Sequence, residues 1–144
     1  MNALATAFEP ARSRNAFASK FYHQTSVQTG LEAASPHQLV VMLFDGLVDA
    51  IAQARGAIAA DNVELKCRAI GRALRIVDEG LKGALDMKAG GDLAADLSAL
   101  YSFVIQRLTD ANLHSDEAAL EECKRVITPI REAWLAIAPQ AKAA

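Results

Sequence analysis

The side chains best suited to chemistry are three histidines, two cysteines and a set of carboxylates, and their spacing decides what they could do. A di-iron bundle needs inward glutamates and Glu-x-x-His pairs on facing helices. No such pair occurs, and His23, His37 and His114 fall in a polar N-terminal stretch, in the first turn of a predicted helix and in a predicted loop. A phosphotransfer bundle needs an exposed histidine at the middle of a helix. His37 stands at the wrong end for that and reads as an exposed first-turn residue. Cys67 and Cys123 belong to no CxxC or Cys/His cluster, so both read as small core hydrophobes rather than zinc ligands or a redox pair. Asp45 and Asp49 form an i, i+4 acidic pair, which reads as a solvated face because no further cation ligands accompany it. Serines and threonines gather at caps rather than beside a base, and Gly90-Gly91 follows no strand. Catalysis, cofactor binding and metal binding are all unsupported by these residues.

The elements that would hold any site are helical. The chain has 144 residues, 52% hydrophobic and 22% charged, enough for one core and too few for two ordinary domains. Aromatics make up only 6%, which disfavours a sandwich or barrel and points to an all-α protein. A net charge of -2 removes the electrostatic basis for nucleic-acid binding, and mean hydropathy is +0.13. Asp45, Asp49 and Arg55 interrupt the longest apolar stretch, so no membrane insertion is expected. Met1–Phe8 is followed by Glu9, Pro10 and Arg12 where an export signal would stay apolar, so the expected location is the cytosol.

Residues 1–20, with Arg12, Arg14 and Lys20 against Glu9, read as a disordered tail, and residues 21–34 as a strap or short helix. Residues 35–138 read as an antiparallel up-and-down four-helix bundle, followed by a second tail over 139–144. Ser35-Pro36 with Gln38 predicts a capping box that starts the first helix. Asp61, with Glu64 three residues on, is expected to cap the second helix, which would end at Gly90-Gly91. Its seam is read as Val63, Cys67, Ile70, Leu74, Val77, Leu81 and Ala84. Asp92 is expected to open a third helix with the stripe Leu93, Leu97, Leu100, Val104, Leu108 and Ala111. Ser115 to Glu117 would open a fourth, with the stripe Leu120, Cys123, Ile127, Ile130, Trp134 and Ile137 and a kink at Pro129.

Two faces exceed what one seam can cover. Val40, Val41, Phe44, Val48 and Ile51 widen the apolar arc of the first helix to roughly 200° at the helical period. Leu65, Ala69, Ala73, Ile76, Gly80, Gly83 and Met87 give the second helix a further face of small residues, open to close approach by another helix. These faces leave three readings open: partner binding, burial under the strap, or a self-complementary homodimer.

The chain resembles the FliS family of flagellar export chaperones. The resemblance is carried by Tyr22 with Val27, Ser35-Pro36 with Leu39, Met42-Leu43-Phe44-Asp45-Gly46 and Ala54. It continues through Ile70, Ile76, Leu97, Leu100-Tyr101, Phe103, Leu108, Ala111-Asn112, Arg131 and Ala133-Trp134. It implies a non-enzymatic bundle, without cofactors, that binds the disordered C-terminal segment of flagellin in the cytosol, blocks premature polymerisation and helps deliver it to the export gate protein FlhA. It also implies contact with other flagellar regulators, and the state of the free protein is expected to be a monomer or weak homodimer. The candidate flagellin contacts are Val40, Phe44, Val48, Ile51, Leu65, Ala69, Ile76 and Gly80, followed by Tyr101 and Phe103. Phe21, Tyr22 and Val27 would serve as a latch displaced by the client. On this reading Phe44→Asp leaves the fold intact and abolishes binding. The chain departs from the family pattern at Phe44, where tyrosine is frequent, at Pro129, and in the length of its tail.

Overall fold

In the computed structural model, which describes residues 35–137, four helices follow one another: α1 (Pro36–Ala59), α2 (Val63–Arg75), α3 (Met87–His114) and α4 (Glu117–Ala136). A π-helical segment, Ile76–Lys82, continues α2 without a break. The tails and the strap with Phe21, Tyr22 and Val27 lie outside the described residues. The start of α1 follows its sequence signal closely. Ser35 Oγ accepts from the Gln38 amide at 3.2 Å, and Gln38 Oε1 accepts from the Ser35 amide at 2.8 Å. Two of the orphan N–H groups at the helix start are thereby satisfied.

Cross-links between helices fix the topology. Asp45 accepts from Arg131 at 2.8 Å and Arg55 donates to Glu121 at 2.6 Å, so α1 and α4 run antiparallel. Lys66 Nζ donates to the Asn112 carbonyl and the Ser115 hydroxyl, which sets α2 antiparallel to α3. Arg107 bridges to Glu122 at 2.7 Å across α3 and α4. Each helix therefore packs on its sequence neighbour, and α4 closes the ring on α1. Gly46 of α1 leaves little room for a side chain: a Cβ there would meet Arg72 Nη2 at 3.2 Å and Ile76 Cδ1 at 3.3 Å.

The boundaries between helices differ from the expected ones. Asn62, not Asp61, caps α2, because Asp61 takes φ +58 to make the turn and Asn62 Oδ1 accepts from the Leu65 amide. The second helix stops at Lys82, well before Gly90, and Asp86 caps α3 by accepting from the amides of Lys88 and Ala89. The glycine pair nevertheless marks a break: Gly91, at φ +55 and ψ -133, interrupts α3 just before Asp92. No atom lies within 4 Å of a Cβ built there, so glycine is required for backbone conformation and not for space. The fourth helix is capped by Asp116 and passes through Pro129 as one element.

The core also shifts by a residue in places. In α3 the buried stripe is Ala94, Leu97, Tyr101, Val104, Leu108 and Ala111, so Tyr101 takes the seam position assigned to Leu100, which is 40% exposed. In α2 the expected seam residues Val63 and Cys67 are exposed. Lys66 is buried instead, its ammonium capping the last turn of α3 and turning its neighbours outward. The π segment then lets two adjacent pairs, Ile76 with Gly80 and Val77 with Leu81, face the core together. In this segment, therefore, residues of both stripes that the sequence divides between two faces are buried.

Cys123 is the small core hydrophobe expected of it, whereas Cys67 is not. Burial pushes the Cys123 thiol up to about 12, and its Sγ lies 3.7 Å from the Val104 carbonyl. A thiolate is the reactive species, so a disulfide reagent at pH 8 is expected to modify one thiol per chain in the native protein and the second only in denaturant. Two equally fast thiols without denaturant would contradict the placement of Cys123.

Candidate docking surface

The sequence-predicted contacts divide sharply by exposure. Val40, Phe44, Ile51, Ala69, Ile76, Gly80 and Tyr101 are buried, with Phe44 and Tyr101 at 0%. These seven residues therefore belong to the packed interior, a correction to their reading as open contact residues. The reason is geometric: the arc of α1 is wide because the helix packs on both α2 and α4, with the π segment extending the α2 contact. Of the ten, only Val48, Leu65 and Phe103 keep surface open, the first two half-buried and Phe103 38% exposed.

Phe103 does not stand alone. Leu100 lies one turn away on α3, on the same side as Arg107, which reaches across to Glu122 of α4. Cys123 abuts Val104, so the antiparallel register carries Val126 and Ile130 of α4 along this same flank. Both are half-buried and packed against the core. An apolar row thus follows the α3–α4 groove, closed at one end by a charged cluster in which Arg107 pairs with Asp110 at 2.8 Å as well as with Glu122. The hydrogen bonds that Arg107 donates to Glu122 and Asp110 hold its guanidinium above its ordinary value, so it stays fully charged. Contiguous exposed apolar side chains rimmed by charge are the usual form of a protein-docking surface.

Nothing in this groove resembles a reaction centre. Among the described residues no group of three or more His, Cys, Asp or Glu side chains is placed to hold a metal ion, and no helix is long and apolar enough to cross a membrane. The Tyr101 hydroxyl is pushed well up by burial and stays protonated.

His37 is the residue most misjudged from sequence. It is buried, not exposed: its Nε2 is 3.0 Å from the Trp134 carbonyl, and Trp134 Nε1 donates to the His37 carbonyl at 3.1 Å. The two rings stack with centroids 4.9 Å apart. The signal was available in part, since Trp134 falls near the end of the fourth helix's stripe and antiparallel packing brings that end to the start of α1.

Residues 18–141 match the family model described as flagellar protein FliS. The chain is 44% identical over 122 residues to the flagellar secretion chaperone FliS of Salmonella typhimurium, covering 85% of this chain and 90% of that one. It is 37% identical over 117 residues to FliSB of Pseudomonas aeruginosa, covering 81% and 92%. It is 34% identical over 113 residues to FliS of Bacillus subtilis, covering 78% and 80%.

Proposed function

Since the chain belongs to the FliS family of flagellar secretion chaperones, which are not enzymes, we propose that it captures the disordered C-terminal segment of flagellin in the cytosol and passes it to the export gate protein FlhA. The observation that supports a client surface of this kind is the exposed row of Leu100 and Phe103 beside Val126 and Ile130. An amphipathic helix laid in that groove would bury its own apolar stripe at about 25 cal/mol per Å², less the cost of ordering a flexible segment. The same stripe is then unavailable for packing subunit against subunit, which is how a passive chaperone blocks polymerisation without a nucleotide. Val48 of α1 and Leu65 of α2 offer further contact elsewhere on the bundle, while the seven buried candidates hold the helices in place. Phe21, Tyr22 and Val27 compete for the client surface as a latch, and other flagellar regulators use the same protein.

Calorimetric titration with the C-terminal segment of a flagellin encoded by the same genome tests this reading. One-to-one binding at micromolar or tighter concentration, about -8 kcal/mol or better, with a gain of helical circular dichroism, is the expected result. Removing residues 1–24 is expected to strengthen binding several-fold. Absence of heat with a folded protein would sink the flagellin reading, and weaker binding after the truncation would make those residues part of the site.

A further inference from the structure

Pro129 stands inside α4, where a proline lacks the N–H of an ordinary helical residue and crowds the carbonyl four residues back. That carbonyl belongs to Arg125, which therefore has no i+4 donor in its own helix. The hydroxyl of neighbouring Thr128 is committed elsewhere, donating to the Lys124 carbonyl at 2.8 Å. Glu122 faces α3 through its bond to Arg107, and Val126, Pro129 and Ala133 follow it at i+4, i+7 and i+11 on one stripe of α4. The pairs Arg107 with Glu122 and Val104 with Cys123 set the antiparallel register. That register puts Arg125 and Val126 level with Phe103, and Pro129, which is exposed, level with Leu100. A helix carbonyl points toward the C-terminal end of its helix, so that of Arg125 runs parallel to the groove, from the level of Phe103 toward that of Leu100.

We propose that the Arg125 carbonyl and the Pro129 ring form a specificity seat in the α3–α4 groove, where an asparagine or glutamine side chain of the docked client helix donates to that carbonyl. The inference rests on the proposed capture of a client helix in this groove. In the free protein water can serve the carbonyl. A helix laid over Leu100 and Phe103 covers it, and a covered carbonyl left without a donor costs more than an ordinary hydrogen bond gains. The backbone amides of the client are consumed within its own helix, so the donor has to come from a side chain. A carboxamide suits the seat better than an ammonium or a second guanidinium, because Arg125 already places a positive charge beside its own carbonyl. The pyrrolidine ring supplies an apolar ledge for the methylene groups of that side chain. Such a seat selects mainly by rejection: the matching side chain gains little over the water it displaces, whereas an apolar one at the same place leaves the carbonyl unpaired. A residue that breaks a local helix rule is expected at a functional site more than elsewhere, which is the role this reading gives to Pro129.

The test uses the full chain and its Pro129→Ala variant, each titrated calorimetrically with the C-terminal segment of a flagellin encoded by the same genome. Alanine returns an N–H to the Arg125 carbonyl and removes the helix-breaking ring, so the variant should unfold at a higher urea concentration than the unaltered chain. Loss of fold then cannot account for a change in binding. Each asparagine of the segment is changed in turn to leucine and each glutamine to methionine, which keeps size and removes the donor. One such change is expected to weaken binding to the unaltered chain about tenfold, the scale of a covered carbonyl left unpaired, and binding to the variant less than about twofold. A spin label at that position of the segment should broaden the amide signals of Leu100, Val126 and Ile130. A set of changes with no position whose effect depends on residue 129, or a label that broadens signals on another face, would overturn the seat. Absence of heat with the unaltered segment would remove the seat together with the client reading, whereas tight binding that ignores residue 129 would remove the seat alone.

Discussion

Phe44→Asp is expected to unfold the bundle, with a loss of stability of at least 3 kcal/mol, about the full cost of placing an unpaired carboxylate in a packed interior. Phe44 is fully buried in the main core cluster, on the α1 surface that lies between α2 and α4. The carboxylate would have to protonate, drag in water or expel the helix, and a domain of this size has only about 5–15 kcal/mol to lose. Phe103→Asp should behave in the opposite way. The Phe103 ring is 38% exposed on the α3–α4 groove, so helical content and the urea midpoint should hardly move, while client affinity falls at least tenfold, about 1.4 kcal/mol. Urea denaturation followed by circular dichroism, together with the calorimetric titration, measures both. A folded Phe44→Asp protein that has lost only client binding would return Phe44 to the contact surface and displace Phe103 from it.

The contrast between these two phenylalanines marks where the sequence is informative. Helical periodicity locates the helices and their inner stripes, because local spacing and the capping chemistry of Ser35, Pro36 and Gln38 are written in adjacent residues. The stripe of α4 could be read almost residue by residue, since that helix has one apolar face and one polar face. Periodicity does not reveal how many neighbours a helix has. The wide arc of α1 has the same pattern whether it is covered by two bundle partners or left open to a client, and the fold resolves most of it as interior. The π segment is equally hidden: its two buried stripes look, at a strict α period, like one seam and one spare face. Lys66 and His37 escaped for a related reason. Each is polar, each is buried, and each has its partner nearly fifty or nearly one hundred residues away, at Asn112 and Trp134. Phe103 could be picked out because it departs from its helix's own stripe, a local signal that needs no tertiary knowledge.

Trp134→Ala should be the other strongly damaging substitution, costing about 3–5 kcal/mol through the cavity left by a nearly buried indole. More than volume is at stake, because Trp134 and His37 hold each other by two reciprocal hydrogen bonds as well as by stacking. Removing the indole strips the His37 ring of its stacking partner and its carbonyl of the indole donor, at the point where α1 begins and α4 ends. A double-mutant cycle separates these contributions from simple loss of packing. Trp134→Phe keeps an aromatic face but no donor, and His37→Ala removes the ring and its bond to the Trp134 carbonyl. If the clasp acts as a unit, the two changes should couple by about 1–2 kcal/mol, well beyond the few tenths expected of independent sites. Since Trp134 is the only tryptophan, the cycle is best followed by circular dichroism in urea. Additive effects would reduce the pair to two separately packed rings, whereas coupling would make it the tie that joins the start of α1 to the end of α4.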